Sequence, residues 1–294
     1  MTVGVASGKG GTGKTTVALG LALSSHDPVL LLDCDVEEPN AALFLRPRIL
    51  DSTPVEVTVP EVDAQRCDAC GACSRACRFH AIGSLQAKAM VFPELCHGCG
   101  GCVLACPRGA IRESRRILGI VENGVRDRIR FAHGRLNVGE AMPVPVIRAL
   151  RRRFDGDGLT LIDAPPGTSC AVVAAVRGSD VVLLVTEPTP FGLHDLTLAV
   201  QTVRALGIPL GVLLNRCDSG DESVRAFCES EGIPLLLEIP EDRRIAEAYS
   251  RGHTLFDARP ELRQQFELLH ARLRVLGESL AESAAPVPGG RAAR

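Results

Sequence analysis

The stretch GKGGTGKTT, residues 8–16, follows an apolar, strand-like TVGVAS and opens a helical pattern that runs from Lys14 to about Ser25. In that setting the spacing Gly-x4-Gly-Lys-Ser/Thr marks a phosphate cradle. Glycines let the backbone wrap closely around phosphates with its N–H groups turned inward, and the helix N-terminus adds positive potential. Lys14 then neutralises the outer phosphates and Thr15 reaches Mg2+, with Gly8, Gly10, Gly11, Thr12, Gly13 and Thr16 completing the loop. The stretch predicts a first strand, a nucleotide-binding turn and a first helix.

Further apolar runs follow: VLLLDCD (29–35), LTLIDAP (159–165), DVVLLVTEP (180–188), LGVLLNRCD (210–218) and LLLEIP (235–240). Such runs suit strands buried on both faces. Helical patterns fall between them at 169–177, 192–206, 221–230 and 242–250. The alternation predicts an α/β fold, a mostly parallel, doubly wound P-loop NTPase sheet with helices on both sides.

Residues 61–113 break that rhythm, with glycine, small residues and cysteine where a buried strand carries branched apolar side chains. CDACGACSRACRFHAI (67–82) returns as CHGCGGCVLACPRGAI (96–111), each cysteine shifted by 29 positions: 67 to 96, 70 to 99, 73 to 102 and 77 to 106. Two copies predict a pseudo-two-fold module. The expected organisation is a first ATPase segment at 1–58, a cysteine-rich insert at 59–116, a second ATPase segment at 117–278 and a disordered tail at 279–294. Residues 117–150 read as turns and a hairpin returning to the main domain.

With 294 residues, 46% of them hydrophobic, the chain can bury a full α/β core and still carry a small module. Its net charge of -2 gives no basic excess for nucleic acid or a membrane surface. The three lysines are Lys9, Lys14 and Lys88, so two of them sit in one glycine-rich loop. No basic-then-apolar leader opens the chain, and no apolar run approaches the roughly 20 residues of a membrane span. A soluble, cytoplasmic protein without stable membrane insertion is the expectation.

The 12 cysteines do not read as a disulfide framework in a chain of this length without a leader. Eight of them lie between Cys67 and Cys106, and metal ligation is the expectation. C-x2-C-x2-C-x3-C occurs as Cys67, Cys70, Cys73, Cys77 and again as Cys96, Cys99, Cys102, Cys106, the latter followed by Pro107. This is similar to bacterial two-cluster ferredoxins, in which the fourth cysteine of each run serves the other cluster. The resemblance implies two 4Fe-4S clusters, one on Cys67, Cys70, Cys73 and Cys106, the other on Cys96, Cys99, Cys102 and Cys77. Four thiolates also suit zinc, although three closely spaced thiolates with a distant fourth wrap a cube better than isolated C-x2-C pairs do. Arg78 stands where such ferredoxins usually carry proline, and His97 lies inside the second loop. Cys34, Cys170, Cys217 and Cys228 read as small packing residues.

Lys9 places a second lysine at the start of the loop, which resembles the deviant Walker A class of MinD, ParA, the Mrp-type cluster carriers and the nitrogenase iron protein. With DCDVEEPN (33–40), DAPPGTSC (163–170) and TEPTPFGLHDL (186–196), residues 1–275 look like MinD-superfamily ATPases that contain an inserted ferredoxin-like α+β domain. The resemblance implies that Lys9 reaches across a dimer to the other subunit's phosphates. Asp35 would orient the attacking water, Asp33 lie near Mg2+, and Asn40 belong to the first switch. Asp163 would hold Mg2+ through water and Gly167 sense the γ-phosphate. Asn215 would read adenine, assisted by Asp218, with Pro240 walling the base. His194 and Asp195 could contact the partner subunit or cap the following helix.

The expected activity is Mg-dependent hydrolysis of ATP to ADP in a homodimer, or in a heterodimer with a paralogue, linked to electron transfer through the clusters and to a redox or metallocluster-assembly partner. Two other readings are a metallocluster carrier or maturation factor, and a spatial organiser like MinD or ParA. The organiser needs a basic amphipathic C-terminal helix; residues 261–280 carry mixed charge and an apolar stripe, Leu262, Phe266, Leu269 and Leu273, suited to packing on the sheet.

Overall fold

A computed structural model describes residues 1–85, 88–153 and 158–281. β1 (Thr2–Ala6) leads into the glycine-rich loop, where Gly13 sits in the left-handed region at φ 96° and turns the chain into α1 (Lys14–Ser24). β2 (Val29–Asp33), α2 (Ala41–Leu45) and β3 (Arg48–Val62) follow. The cysteine-rich part holds α3 (Ala72–Ala76), β4 (Ile82–Leu85), β5 (Lys88–Val91), a 3-10 turn at Pro93–Leu95 and α4 (Gly101–Leu104). β6 (Ile111–Arg126), β7 (Ile129–Leu136) and α5 (Pro143–Arg153) lead back to β8 (Leu159–Asp163) and α6 (Cys170–Val176). Then come β9 (Val181–Thr186), α7 (Pro190–Ala205), β10 (Leu210–Asn215), α8 (Ser223–Ser230), β11 (Leu235–Ile239), α9 (Arg243–Ser250), α10 (Leu255–Ala258) and α11 (Leu262–Ala281).

Nine strands form one sheet in the order β11-β10-β9-β1-β8-β2-β7-β6-β3. The first seven run parallel, while β6 is antiparallel to both β7 and β3. Alternate side chains feed two cores. Leu30, Leu32, Ala132 and Ile162 pack beneath α5, α6, α7 and α8, whereas Leu31, Phe131 and Leu161 pack beneath α1, α2, α10 and α11. Because both faces are covered, the central strands read as unbroken apolar runs. Leu262, Phe266, Leu269 and Leu273 of α11 are buried against the sheet, as the apolar stripe predicts. α11 reaches Ala281, three residues into the stretch expected as tail; residues 282–294 lie outside the described residues.

Phe266 is fully buried, stands edge-on to Phe256 at 5.5 Å, and fills the space a side chain at Gly20 would occupy, 2.5 Å from that missing Cβ. Phe266→Ala is therefore expected to lower unfolding free energy by about 3–5 kcal/mol. Urea denaturation of the two proteins measures it.

β3 has no counterpart among the predicted strands, because Pro54 and Pro60 interrupt its pattern. It is the edge strand, where a missing N–H is tolerated. The hairpin expected within 117–150 is β6–β7, but that stretch also contains most of α5, which opens on prolines 143 and 145; proline is accepted in a first helical turn.

β3 and β6 pair from Arg48↔Val125 out to Val62↔Ile111, whereas β6 and β7 pair only from Gly119↔Leu136 to Arg126↔Ile129. Beyond Gly119 the two long strands therefore leave the sheet as a two-stranded ribbon. Residues 58/59 and 116/117 lie within these strands rather than at a break in the chain. Glu56–Arg115 (3.0 Å) and Glu61–Arg112 (2.6 Å) tie the ribbon at its surface. The ribbon carries the residues between Val62 and Ile111, which include all eight motif cysteines.

The internal repeat is visible in the backbone. Left-handed residues recur at the same 29-residue offset: Ala69 (φ 57°) with Gly98 (68°), Gly71 (72°) with Gly100 (71°), and His80 (53°) with Gly109 (54°). Ala81 N–H donates to Cys77 Sγ and Ala110 N–H to Cys106 Sγ, each at 3.3 Å. Among the described residues, no helix is long and apolar enough to cross a membrane.

Candidate functional site

The C-terminal ends of the parallel strands converge on an open cavity of about 1730 Å3. Parallel α/β sheets place ligands at this edge, where helix N-termini and strand-end side chains face the same space. Gly10, Gly11, Gly13, Lys14, Thr15 and Thr16 line one wall, with Asp35, Asn40, Asn215 and Pro240 around the rest. Gly8, Lys9, Thr12, Asp33, Asp163 and Gly167 lie behind or beside that lining.

The second row is ordered by short contacts. Thr15 Oγ1 donates to Asp163 Oδ2 at 2.6 Å, while Asp163 Oδ1 is buried without a partner. Thr12 Oγ1 and Asn40 Oδ1 are also buried and unpartnered, so three polar oxygens around the loop await a ligand, ion or water. Asp33, expected near Mg2+, is fully buried beside Asp163: Oδ1 accepts from Asp35 N–H (3.1 Å) and Oδ2 from Ala41 N–H (3.0 Å). It braces the loop that carries Asp35. Gly167, at φ 89°, donates its N–H to Ser7 O at 3.0 Å, tying the DAPPGTS loop to the end of β1.

Burial raises the carboxyl of Asp163 to about 7, against the lowering effects of the Thr15 hydroxyl and Lys14. Burial likewise lifts Asp33 well above the ordinary range, with the Asp163 charge adding to it. Asp35 rises to about 6, again chiefly through burial, with Lys14 opposing. A carboxylate raised on folding stabilises the fold at low pH and loses that contribution as pH climbs through the raised value. The nucleotide-free protein is thus expected to melt about 3 °C or more lower at pH 8 than at pH 5, a slope that Asp163→Asn flattens. Calorimetry across that range checks it.

Lys9 extends not toward the cavity but to the buried Glu187, with Nζ at 3.4 Å from its carboxylate; Arg216 grips the same carboxylate at 2.6 Å. The TEPTPFGLHDL segment therefore buttresses the loop. A Cβ at Gly8 would stand 2.2 Å from the Asp195 carbonyl, so only glycine allows this approach. α7 is capped by Thr189, which accepts from Gly192 N–H at 2.9 Å, and His194 and Asp195 lie inside the helix rather than at its cap.

Asn215 Nδ2 donates to Thr12 O at 2.9 Å and its Oδ1 accepts from Arg216 N–H at 3.1 Å. Asn215 thus ties β10 to the loop besides facing the cavity. Asp218 accepts from Glu241 N–H at 2.6 Å and holds the turn beside Pro240. Sequence reasoning missed Arg216 and Tyr249 on the cavity wall. Tyr249, the chain's single tyrosine, lies against Phe44 with ring centroids 4.2 Å apart and planes tilted by 31°. Its placement on the exposed face of α9 was the available signal.

At the end of the ribbon, the cysteines divide between two further cavities. One is lined by Cys77, Cys96, Cys99 and Cys102, the other by Cys67, Cys70, Cys73 and Cys106. Burial first, then the neighbouring sulfurs of Cys106 and Cys67, push the Cys73 thiol up; for Cys102 the neighbours are Cys96 and Cys77. Cys77 and Cys106 have exchanged places between the runs. Among the described residues no three His, Cys, Asp or Glu side chains converge on a single-ion position. Of the other cysteines, Cys34 and Cys228 are buried as packing residues, while Cys170 is exposed, contrary to that expectation.

Residues 3–255 match the CobQ/CobB/MinD/ParA nucleotide binding domain. The chain belongs to this family. An uncharacterised protein of Methanocaldococcus jannaschii, MJ0578, is 30% identical over 248 residues, 82% of this chain and 86% of the relative. The cytosolic Fe-S cluster assembly factor NBP35 of Eremothecium gossypii is 31% identical over 130 residues, 37% of this chain and 39% of its own. The septum site-determining protein MinD of Pyrococcus horikoshii, solved with Mg-ADP, superposes with a TM-score of 0.58 at 20% identity, covering 98% of this chain and 100% of that one; it shares the fold. In family terms, the glycine-rich loop, Asp35 and Asn40 bound one common cavity, whereas Lys9 and Asp33 are held out of it.

Proposed function

We propose that this chain is a Mg-dependent ATPase whose hydrolysis in a dimer is coupled to electron transfer through two 4Fe-4S clusters. The carrying observation is the pair of cavities, each lined by four cysteines, three from one run and one from the other. They are borne on a ribbon continuous with the nucleotide-binding sheet. The donor set fits: eight thiols in two groups of four, with the exchanged fourth ligand of two-cluster ferredoxins. Cys67, Cys70, Cys73 and Cys106 would hold one cube, and Cys96, Cys99, Cys102 and Cys77 the other. When bound, the cubes supply one-electron transfer and Mg2+ neutralises phosphate charge.

The loop N–H groups and Lys14 bind the phosphates; Thr15 and Asp163, whose Oδ1 is unpartnered, would hold Mg2+. Asp35 orients the attacking water from the opposite wall. Lys9 leaves Glu187 to reach the phosphates of the second subunit, so hydrolysis waits for dimerisation. Iron and acid-labile sulfide in anaerobically purified protein test the assignment: about eight of each per chain are expected for two cubes. Stoichiometric zinc without sulfide would sink it.

The partial likeness to a cluster-assembly factor favours a second reading, delivery of a cluster to an apo-protein. Two fully liganded sets predict retention instead. Transfer to an apo-ferredoxin in the presence of a chelator would decide for delivery.

A further inference from the structure

α5 and α6 pack side by side, and an open groove of about 1090 Å3 is lined by Arg148, Arg151, Arg152 and Arg177 together with Val173 and Ala174. Among the described residues no acidic side chain contributes to its lining. Arg151 is occupied structurally: its Nη1 donates to Ala175 O (2.5 Å) and Arg177 O (2.6 Å), which ties the two helices together and fixes the width between them. Arg148, Arg152 and Arg177 are exposed, and among the described residues their side chains make no hydrogen bond or ion pair.

Among the described residues Arg48, Arg66, Arg78, Arg130, Arg135 and Arg251 are likewise unpaired, but Arg148, Arg152 and Arg177 line one groove together in this chain. Its other surface arginines are commonly paired, as in Arg108–Asp68, Arg112–Glu61, Arg225–Glu238 and Arg244–Asp242. With a net charge of -2, no general basic excess accounts for three unpaired guanidinium groups on one groove. Cations at a helix C-terminus complement its dipole, which accounts for Arg152 in the last turn of α5 and for Arg177 at the C-cap of α6, but not for Arg148 a turn earlier.

We infer that the α5–α6 groove is a docking site for an acidic segment of a partner protein. Guanidinium forks match carboxylates two hydrogen bonds at a time, and arginine is enriched where proteins meet. Val173 and Ala174 between the arginines call for apolar side chains among the partner's carboxylates, which a phosphate backbone does not supply. The groove is also too open to strip water from a small anion. α6 begins at Cys170, directly after the DAPPGTS loop, so a docked partner touches the helix that leaves the nucleotide site.

The test is fluorescence polarisation of the full chain with a labelled helical peptide that carries glutamates at i, i+4 and i+8 beside a leucine stripe. Saturable binding at low salt is expected, weakened about tenfold or more by Arg148→Glu with Arg152→Glu. Inorganic phosphate should not displace the peptide. Unchanged binding of a fluorescent ATP analogue shows that the variant is folded, since neither arginine lines the nucleotide cavity. No peptide binding, equal binding by the variant, or displacement by an oligonucleotide of matched charge at lower concentration than the unlabelled peptide would overturn the inference.

Discussion

Cys77→Ser is expected to empty the cavity it shares with Cys96, Cys99 and Cys102 and to leave the other filled, halving the iron from about eight to about four per chain. Cys77 belongs by sequence to the run of Cys67, Cys70 and Cys73, so a reading by proximity assigns it to the opposite site. Double variants separate the two. Cys77→Ser with Cys96→Ser removes two ligands of one set and should still retain about four irons, whereas Cys77→Ser with Cys67→Ser should retain almost none. The reverse result would assign the fourth ligands without exchange. Iron analysis and electron paramagnetic resonance of the reduced proteins read both outcomes.

Lys9→Ala is expected to lower ATP turnover by about 10^3-fold or more, the worth of a cation supplied to the transferring phosphoryl in trans. Nucleotide affinity should stay within a few-fold, because Lys9 reaches Glu187 rather than the cavity lining. Asp35→Asn is expected to be inactive for a different reason, loss of the group that orients water. Mixing the two variants separates action in trans from action in cis. In a mixed dimer, the Lys9→Ala subunit keeps Asp35 and receives Lys9 from its partner, so one site is whole and activity returns. If Lys9 served its own subunit, both sites would lack a group and the mixture would stay silent.

Much of the fold was legible because six of the seven parallel strands, all but β7, are apolar runs between helical stretches, as strands packed under helices require. The edge was not. β3 carries Pro54 and Pro60 and exposes much of its length, so its pattern matches no buried strand. Long-range pairing with β6, not local preference, makes it a strand. In the site, GKGGTGKTT fixed the loop because glycine spacing and lysine are local chemistry. The orientation of a side chain is not local: Asp33 and Asp35 stand two residues apart on one strand end, and only packing turns the first inward onto backbone N–H groups. Glu187 was unreadable as an anchor until β9 brought it beside Lys9. The cysteine exchange was legible through the resemblance of the doubled C-x2-C-x2-C-x3-C runs to two-cluster ferredoxins, since a constant offset alone does not say which run supplies each fourth cysteine.

The proposed coupling between the two sites has a continuous strand route. β2 ends at Asp33, is paired with β7, and β7 with β6, whose far half is one strand of the ribbon. A change at the nucleotide loop can thereby bias the module without any separate hinge. The direct test is ATP turnover and oligomeric state of the anaerobically purified protein with the proposed clusters oxidised and then reduced by dithionite. A several-fold difference in turnover between the two states, with dimer formation dependent on Mg-ATP, is the predicted result; identical turnover in both states would contradict it.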